Sequence, residues 1–113
     1  HSQSVRYLSR ADALLLIARA RPTDTFIPGK TFEYFGAQKP IFAVSNSGPT
    51  NDILARASQA IVVASFGVQD IFSKLREFLI SGRHSTKIDA AFIKQFDRSE
   101  QTRQLAELLN SIA

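Results

Sequence analysis

Three short apolar runs, Ala13-Leu-Leu-Leu-Ile17, Ile41-Phe-Ala-Val44 and Ala60-Ile-Val-Val-Ala64, constrain the fold of this chain more than anything else in it. Each has the length of a strand and none alternates with polar residues, so each calls for cover on both faces, as strands of a parallel sheet have. Between them lie two segments of helical pattern, Lys30 to Ala37 and Asn51 to Ala57. This alternation predicts an α/β domain: a three-layer, Rossmann-like parallel sheet of about three strands with flanking helices and right-handed crossovers. After Phe66-Gly67, the residues Val68, Ile71, Phe72, Leu75, Phe78 and Leu79 recur at helical spacing, and Ser81-Gly82 is expected to end that helix. Ile88, Phe92, Ile93 and Phe96 make a shorter apolar patch. Asp97-Arg-Ser-Glu100 has the form of a capping box with Asp in place of Ser or Thr, and Leu105, Leu108, Leu109 and Ile112 supply the stripe of a C-terminal amphipathic helix. Ahead of the first strand, Val5-Arg-Tyr-Leu8 reads as the end of a helix.

Composition excludes several functions. With 113 residues and 44% apolar content, the chain can bury one modest core, so residues 1–113 are one domain or part of one. Basic groups number 14 against 10 acidic, a net charge of +4, and six Lys/Arg against three Asp/Glu fall in residues 1–50. No dense basic run exists, so no nucleic-acid partner is expected, whereas weak attraction to anionic ligands or an anionic membrane surface stays open. The absence of cysteine rules out disulfides and thiolate metal ligands and fits a reducing compartment. His1 and His84 lie far apart without a ligand-like carboxylate cluster, so no metal site is expected. No apolar run approaches the ~20 residues of a membrane span, and no signal-peptide pattern opens the chain. A chain that begins at His1 and contains no methionine is expected to be a piece of a longer protein. A doubly wound sheet commonly has about five or six strands, so the first half of the domain is expected upstream. Half a sheet presents an unpaired edge and an uncovered apolar face, and self-association is expected to follow.

The chemistry concentrates between Phe26 and Pro40. Ala18 to Ile27, which includes Pro22, is long for a connection between strand and helix and marks a candidate functional loop. Pro28 and Gly29 stand at the helix entrance, and Lys39-Pro40 ends the helix, because a residue before proline is pushed out of helical geometry. The entrance offers backbone N–H groups without intrahelical partners and the positive end of the helix dipole. Gly29 allows close approach and Lys30 adds a charge, so a phosphate group fits there. The alternative is that Pro28-Gly29 only turns the chain and Lys30 is solvated. Glu33, one turn further in, could accept hydrogen bonds from the vicinal hydroxyls of a ribose. It could equally form an i, i+3 ion pair with Lys30, worth about 0.2–0.5 kcal/mol. Gly36 reads as a close-packing position. Ser45 to Pro49 reads as a loop at the carboxyl end of the second strand, on the side where ligands of open α/β sheets gather, or else as an ordinary turn.

Ala11-Asp-Ala-Leu-Leu-Leu-Ile17, Pro28-Gly-Lys-Thr-Phe-Glu-Tyr-Phe-Gly-Ala-Gln-Lys-Pro40 and Gly48-Pro-Thr-Asn-Asp-Ile-Leu54 resemble the carboxy-terminal, donor-binding domain of GT-B fold glycosyltransferases of the bacterial polysaccharide and lipopolysaccharide type. Phe96, Arg98, Thr102 and the closing leucine stripe extend the likeness over nearly the whole chain. The resemblance implies a nucleotide-diphosphate sugar as substrate, no separate cofactor, and a cytoplasmic enzyme, with the inner face of the membrane as an alternative place of work. It implies that Pro28, Gly29, Lys30 and Thr31 face the donor diphosphate and that Glu33 binds the nucleotide ribose. Many retaining members of the family carry a further glutamate eight positions earlier that contacts the donor sugar, and here Thr25 stands at that place. Donor sugar and stereochemical outcome are therefore left open. An amino-terminal acceptor domain, with the catalytic base, is expected upstream of His1, and the chain alone is expected to be inactive. Two readings stand beside this one: a non-catalytic α/β module that associates with itself or another protein, and a sugar-nucleotide epimerase of the same fold.

Overall fold

The computed structural model describes residues 2–21, 23–57, 60–80 and 88–113. His1, Pro22, the Ser81-Gly82 helix end and His84 lie outside the described residues. The chain runs through helix α1 (Ser2–Arg10), strand β1 (Leu14–Ala18), helix α2 (Gly29–Ala37), strand β2 (Ile41–Ser45), helix α3 (Gly48–Ala57), strand β3 (Ala60–Val63), and helices α4 (Val68–Ile80), α5 (Ala90–Lys94) and α6 (Arg98–Ile112). The strands form one parallel sheet in the order β1-β2-β3, with Leu14 opposite Ile41 and Ile41 opposite Ala60. This is the α/β sheet with flanking helices that the apolar runs predict.

Burial follows position in the sheet. Central β2 is buried at every residue, whereas edge strand β1 buries only Leu14, Leu16 and Ala18. On one face, Leu14, Leu16, Ile41 and Ala43 meet Phe35 of α2, Leu54 and Ala57 of α3, and Phe92 and Ile93 of α5. On the other, Phe42, Val44 and Val63 meet Phe78 of α4. This second face is incompletely covered. Leu15 and Ile17, alongside the covered Phe42 and Val44, remain 55% and 63% exposed, so the cover on both faces that β1's apolar run calls for is absent on one side. The stripe of α4 is likewise only partly used: Phe78 is buried while Val68, Phe72 and Leu79 are exposed. Helix α6 buries no residue; its leucine stripe is open, and Arg103 braces its polar side by bonding Glu100 and Glu107. Hydrogen bonds from Arg103 and Gln104 push the Glu100 carboxyl down to about 2.

The open β1 edge of the sheet is capped from within the chain at Leu15. Leu14 N–H donates to Pro40 O at 2.8 Å, which makes the even-numbered residues of β1 the ones bonded to β2 and leaves the odd-numbered backbone groups pointing away from it. Leu15 O, on that outer side, accepts the Tyr34 hydroxyl at 3.0 Å.

Helix ends follow local chemistry. Helix α3 begins at Gly48, earlier than the expected Asn51, because Ser47 Oγ accepts the Thr50 N–H at 3.3 Å and Pro49 fits a first turn that needs no N–H from it. Helix α2 ends at Gln38 in the left-handed region (φ 52°), whose N–H donates to Phe35 O at 3.1 Å. A left-handed conformation is costly for any residue with a Cβ. Gln38→Gly is therefore expected to raise stability by about 0.5–1 kcal/mol. The urea midpoint should rise with an unchanged slope; a fall would show that this helix end is not left-handed in solution.

Candidate functional site

Parallel strands joined by α2 and α3 place the starts of both helices at the carboxyl ends of β1 and β2. Side chains tie the loops together there. Asn46 accepts the Ala20 N–H at 2.8 Å and donates back to Ala20 O at 3.1 Å, and Arg19 lies over the Phe66 ring at 5.2 Å. Within the loop after β1, Arg21 N–H donates to Asp24 Oδ2 and Asp24 N–H returns to Arg21 O. These bonds fix Ala20, Arg21 and Asp24 in the loop that leads toward Pro28.

Pro28 (φ −56°, ψ 134°) precedes α2 without offering a side-chain cap, and no acidic residue stands in the first helical turn. Its carbonyl accepts the Thr31 N–H at 3.0 Å. Gly29 and Lys30 are exposed, and a Cβ at Gly29 would meet nothing within 4 Å. An uncapped helix start with no internal anion retains its full partial positive charge. Lys30 and Glu33 do not pair with each other. Among the described residues, neither side chain makes an ion pair or a hydrogen bond, so the i, i+3 bridge considered for them is not formed. Both remain available to a ligand.

Gly29 and Glu33 open into one cleft of about 870 Å³, lined also by Phe32, Phe96, Arg98 and Gln101. That volume lies in the range of small-molecule sites, about 300–1,000 Å³. Its back is a cluster of phenylalanine rings: Phe32 lies 5.2 Å from Phe96 and 6.1 Å from Phe35, and Phe96 lies 5.9 Å from Phe35 and 5.3 Å from Phe92. Asp97 then caps α6 by accepting the Ser99 N–H at 2.7 Å, so that helix begins directly after the cluster. Arg98 and Gln101, one turn apart on α6, line the same cleft as Glu33. The aromatic residues and the Asp97 cap are visible in the sequence, but their meeting with α2, more than 60 residues earlier, is not. Phe32, Phe96 and Arg98 are named by their motifs in the sequence without a place in the cleft, and Gln101 is not singled out at all.

Three expectations change. Thr31 is fully buried and its hydroxyl has no partner, so its side chain lies inside the fold and not toward a ligand. Gly36 is not a close-packing position: a Cβ there would meet nothing within 4 Å, and the residue lines the grooves on either side of α2. The polar residues of the β2–α3 turn are spent internally, since Ser45, Ser47 and Thr50 are buried and Asn51 donates to Ser45 O at 3.1 Å. Ser45 closes β2 and Gly48 and Pro49 open α3, so neither the loop nor the ordinary-turn reading describes Ser45 to Pro49; only Asn46 and Ser47 link the two elements.

No family model, curated protein or solved structure matches this chain. Among the described residues no group of three or more His, Asp and Glu could hold a metal ion, and no helix is long and apolar enough to cross a membrane.

A buried hydroxyl without a partner costs stability that a methyl group of the same shape does not. Thr31→Val is expected to raise unfolding free energy by about 1 kcal/mol, measured by urea denaturation, and to leave ligand binding in the cleft unchanged. Reduced stability would mean that the Thr31 hydroxyl is bonded after all.

Proposed function

We propose that this chain is the nucleotide-sugar-binding part of a glycosyltransferase, the reading to which its sequence resemblance points. The observation that carries it is that an uncapped, lysine-bearing helix start and an unpaired glutamate one turn later open side by side, with Gly29 and Glu33 in one cleft. Backbone N–H groups at Gly29 and Lys30, with the Lys30 ammonium, hold the donor diphosphate; Glu33 accepts hydrogen bonds from the ribose hydroxyls. As the sugar departs, negative charge grows on the leaving diphosphate. Fixed N–H dipoles and Lys30 stabilise that charge more than the ground state, which is how this part contributes to rate. Pro28 contributes through its backbone, and Thr31 through the helix turn it fills. The acceptor and the general base belong to groups outside this chain.

Titration with UDP, GDP and ADP, followed by amide NMR, tests this reading. Shifts centred on Gly29, Lys30 and Glu33 are expected for at least one nucleotide, with affinity in roughly the millimolar range. Glu33→Ala should weaken binding about tenfold while leaving the urea midpoint in place. Lys30→Glu should weaken it more than Lys30→Ala, because it places a carboxylate against the phosphates. Unmoved signals with all three nucleotides would overturn the proposal.

A second reading, a self-associating α/β module, is favoured by the uncovered Leu15 and Ile17 and by the open leucine stripe of α6. Sedimentation equilibrium separates the two. A tight dimer together with no nucleotide-induced shift would select the interaction module; a monomer that binds a nucleoside diphosphate would exclude it.

A further inference from the structure

The cleft has a second wall that the nucleotide reading above does not use. Arg98 and Gln101 line it from the first turns of α6, together with Gly29 and Glu33 of α2. The position of Arg98 is fixed by packing: it follows Phe96, which touches Phe32 and Phe35, and Asp97, whose carboxylate caps the helix. Arg98 itself has no protein partner. Among the described residues it makes no ion pair, hydrogen bond or ring contact, in contrast to Arg103 further along α6, which bridges Glu100 and Glu107. Its place is also electrostatically unfavourable, because a cation at the first position of a helix opposes the helix dipole. No salt bridge crosses the cleft from Arg98 to Glu33. An exposed, unpaired guanidinium on a fixed helix start, lining the same cleft as Gly29 and Glu33, is suited to an anion bound there.

We propose that Arg98 is a phosphate-binding residue of this cleft: its guanidinium grips the diphosphate of a bound nucleotide from the α6 side while the α2 amides hold it from the other, and Gln101 hydrogen-bonds the nucleoside. This rests on the nucleotide-binding reading and deepens it. A planar guanidinium can present two parallel N–H donors to one phosphate group, which a solvated lysine cannot do. The site then clasps its ligand between two helices joined by the phenylalanine cluster. Glu33 and Arg98 divide the recognition: the acid takes hydroxyls and the base takes phosphate, and separation by the ligand keeps them from neutralising each other.

The test compares the unaltered chain with Arg98→Gln and Arg98→Lys by amide NMR titration with inorganic pyrophosphate, UDP, GDP and ADP. Arg98→Gln should weaken pyrophosphate and nucleoside diphosphate binding about tenfold and lower its salt dependence. Arg98→Lys should recover only part of the loss, since the charge returns without the fork. Corresponding nucleosides without phosphate should bind the unaltered chain and Arg98→Gln equally. Unaltered spectra away from residue 98 and an unchanged urea midpoint would show that the variants fold. If Arg98→Gln binds the diphosphates as the unaltered chain does, while Glu33→Ala still weakens them, the Arg98 assignment is overturned and the nucleotide reading survives. If the unaltered chain binds neither pyrophosphate nor any of the three nucleotides, both fall.

Discussion

The packing of Phe35 is the contact on which the rest of the structure depends. This ring, 1% exposed, lies against the same sheet face as Leu14, Leu16, Ile41 and Ala43, and so presses α2 onto the sheet. It also joins Phe32, Phe92 and Phe96 in one cluster, which brings the chain after α5 back to the first turn of α2. Burial of aromatic rings supplies much of the stabilisation available to a core this small, and ring pairs add about 0.5–1.5 kcal/mol each beyond area. Here the same contacts also have a geometric consequence. Phe35 points into the core, Phe32 and Glu33 precede it on the outer side of α2, and the site is therefore a by-product of how the helix is anchored.

Much of this fold is legible in the sequence because the signals are local. The apolar runs at Leu14, Ile41 and Ala60 are strands, and the helical segments between them make the sheet parallel. Where the reading and the structure differ, a neighbour decides. Leu15 and Ile17 look like core residues in the sequence, yet no helix of the described residues covers their face, since α4 packs over Phe42, Val44 and Val63. Helix α3 starts at Gly48 because a single serine oxygen caps it, a short-range effect that the Gly-Pro pair hides by looking like a turn. Gly36 suggests close packing by its mere presence in a helix, but the space over it is open.

The candidate site divides along the same line. Gly29, Lys30 and Glu33 belong to one stretch of eight residues between Phe26 and Glu33, and their exposure follows from the helix that contains them. Thr31 belongs to that stretch too, but its position on the helix turns its side chain inward. Helical phase separates it from its neighbours. Arg98 and Gln101 could not have been found in this way, because their relation to Glu33 exists only through ring contacts between distant parts of the chain. Long-range packing of aromatic residues leaves no periodicity in a sequence to be read.

The open surfaces share a physical origin. A sheet of three strands has two edges and room for helices that the described residues do not supply. Tyr34 blunts one edge by bonding Leu15 O, but side chains of β1, α4 and α6 remain exposed as apolar ground. Solving the crystal structure of the chain soaked with a saturating nucleoside diphosphate tests the central claim most directly. The account predicts electron density for two phosphates against the amides of Gly29 and Lys30, with the ribose hydroxyls within hydrogen-bond reach of Glu33. Density at another surface, with the cleft between Glu33 and Arg98 filled only by solvent, would contradict it.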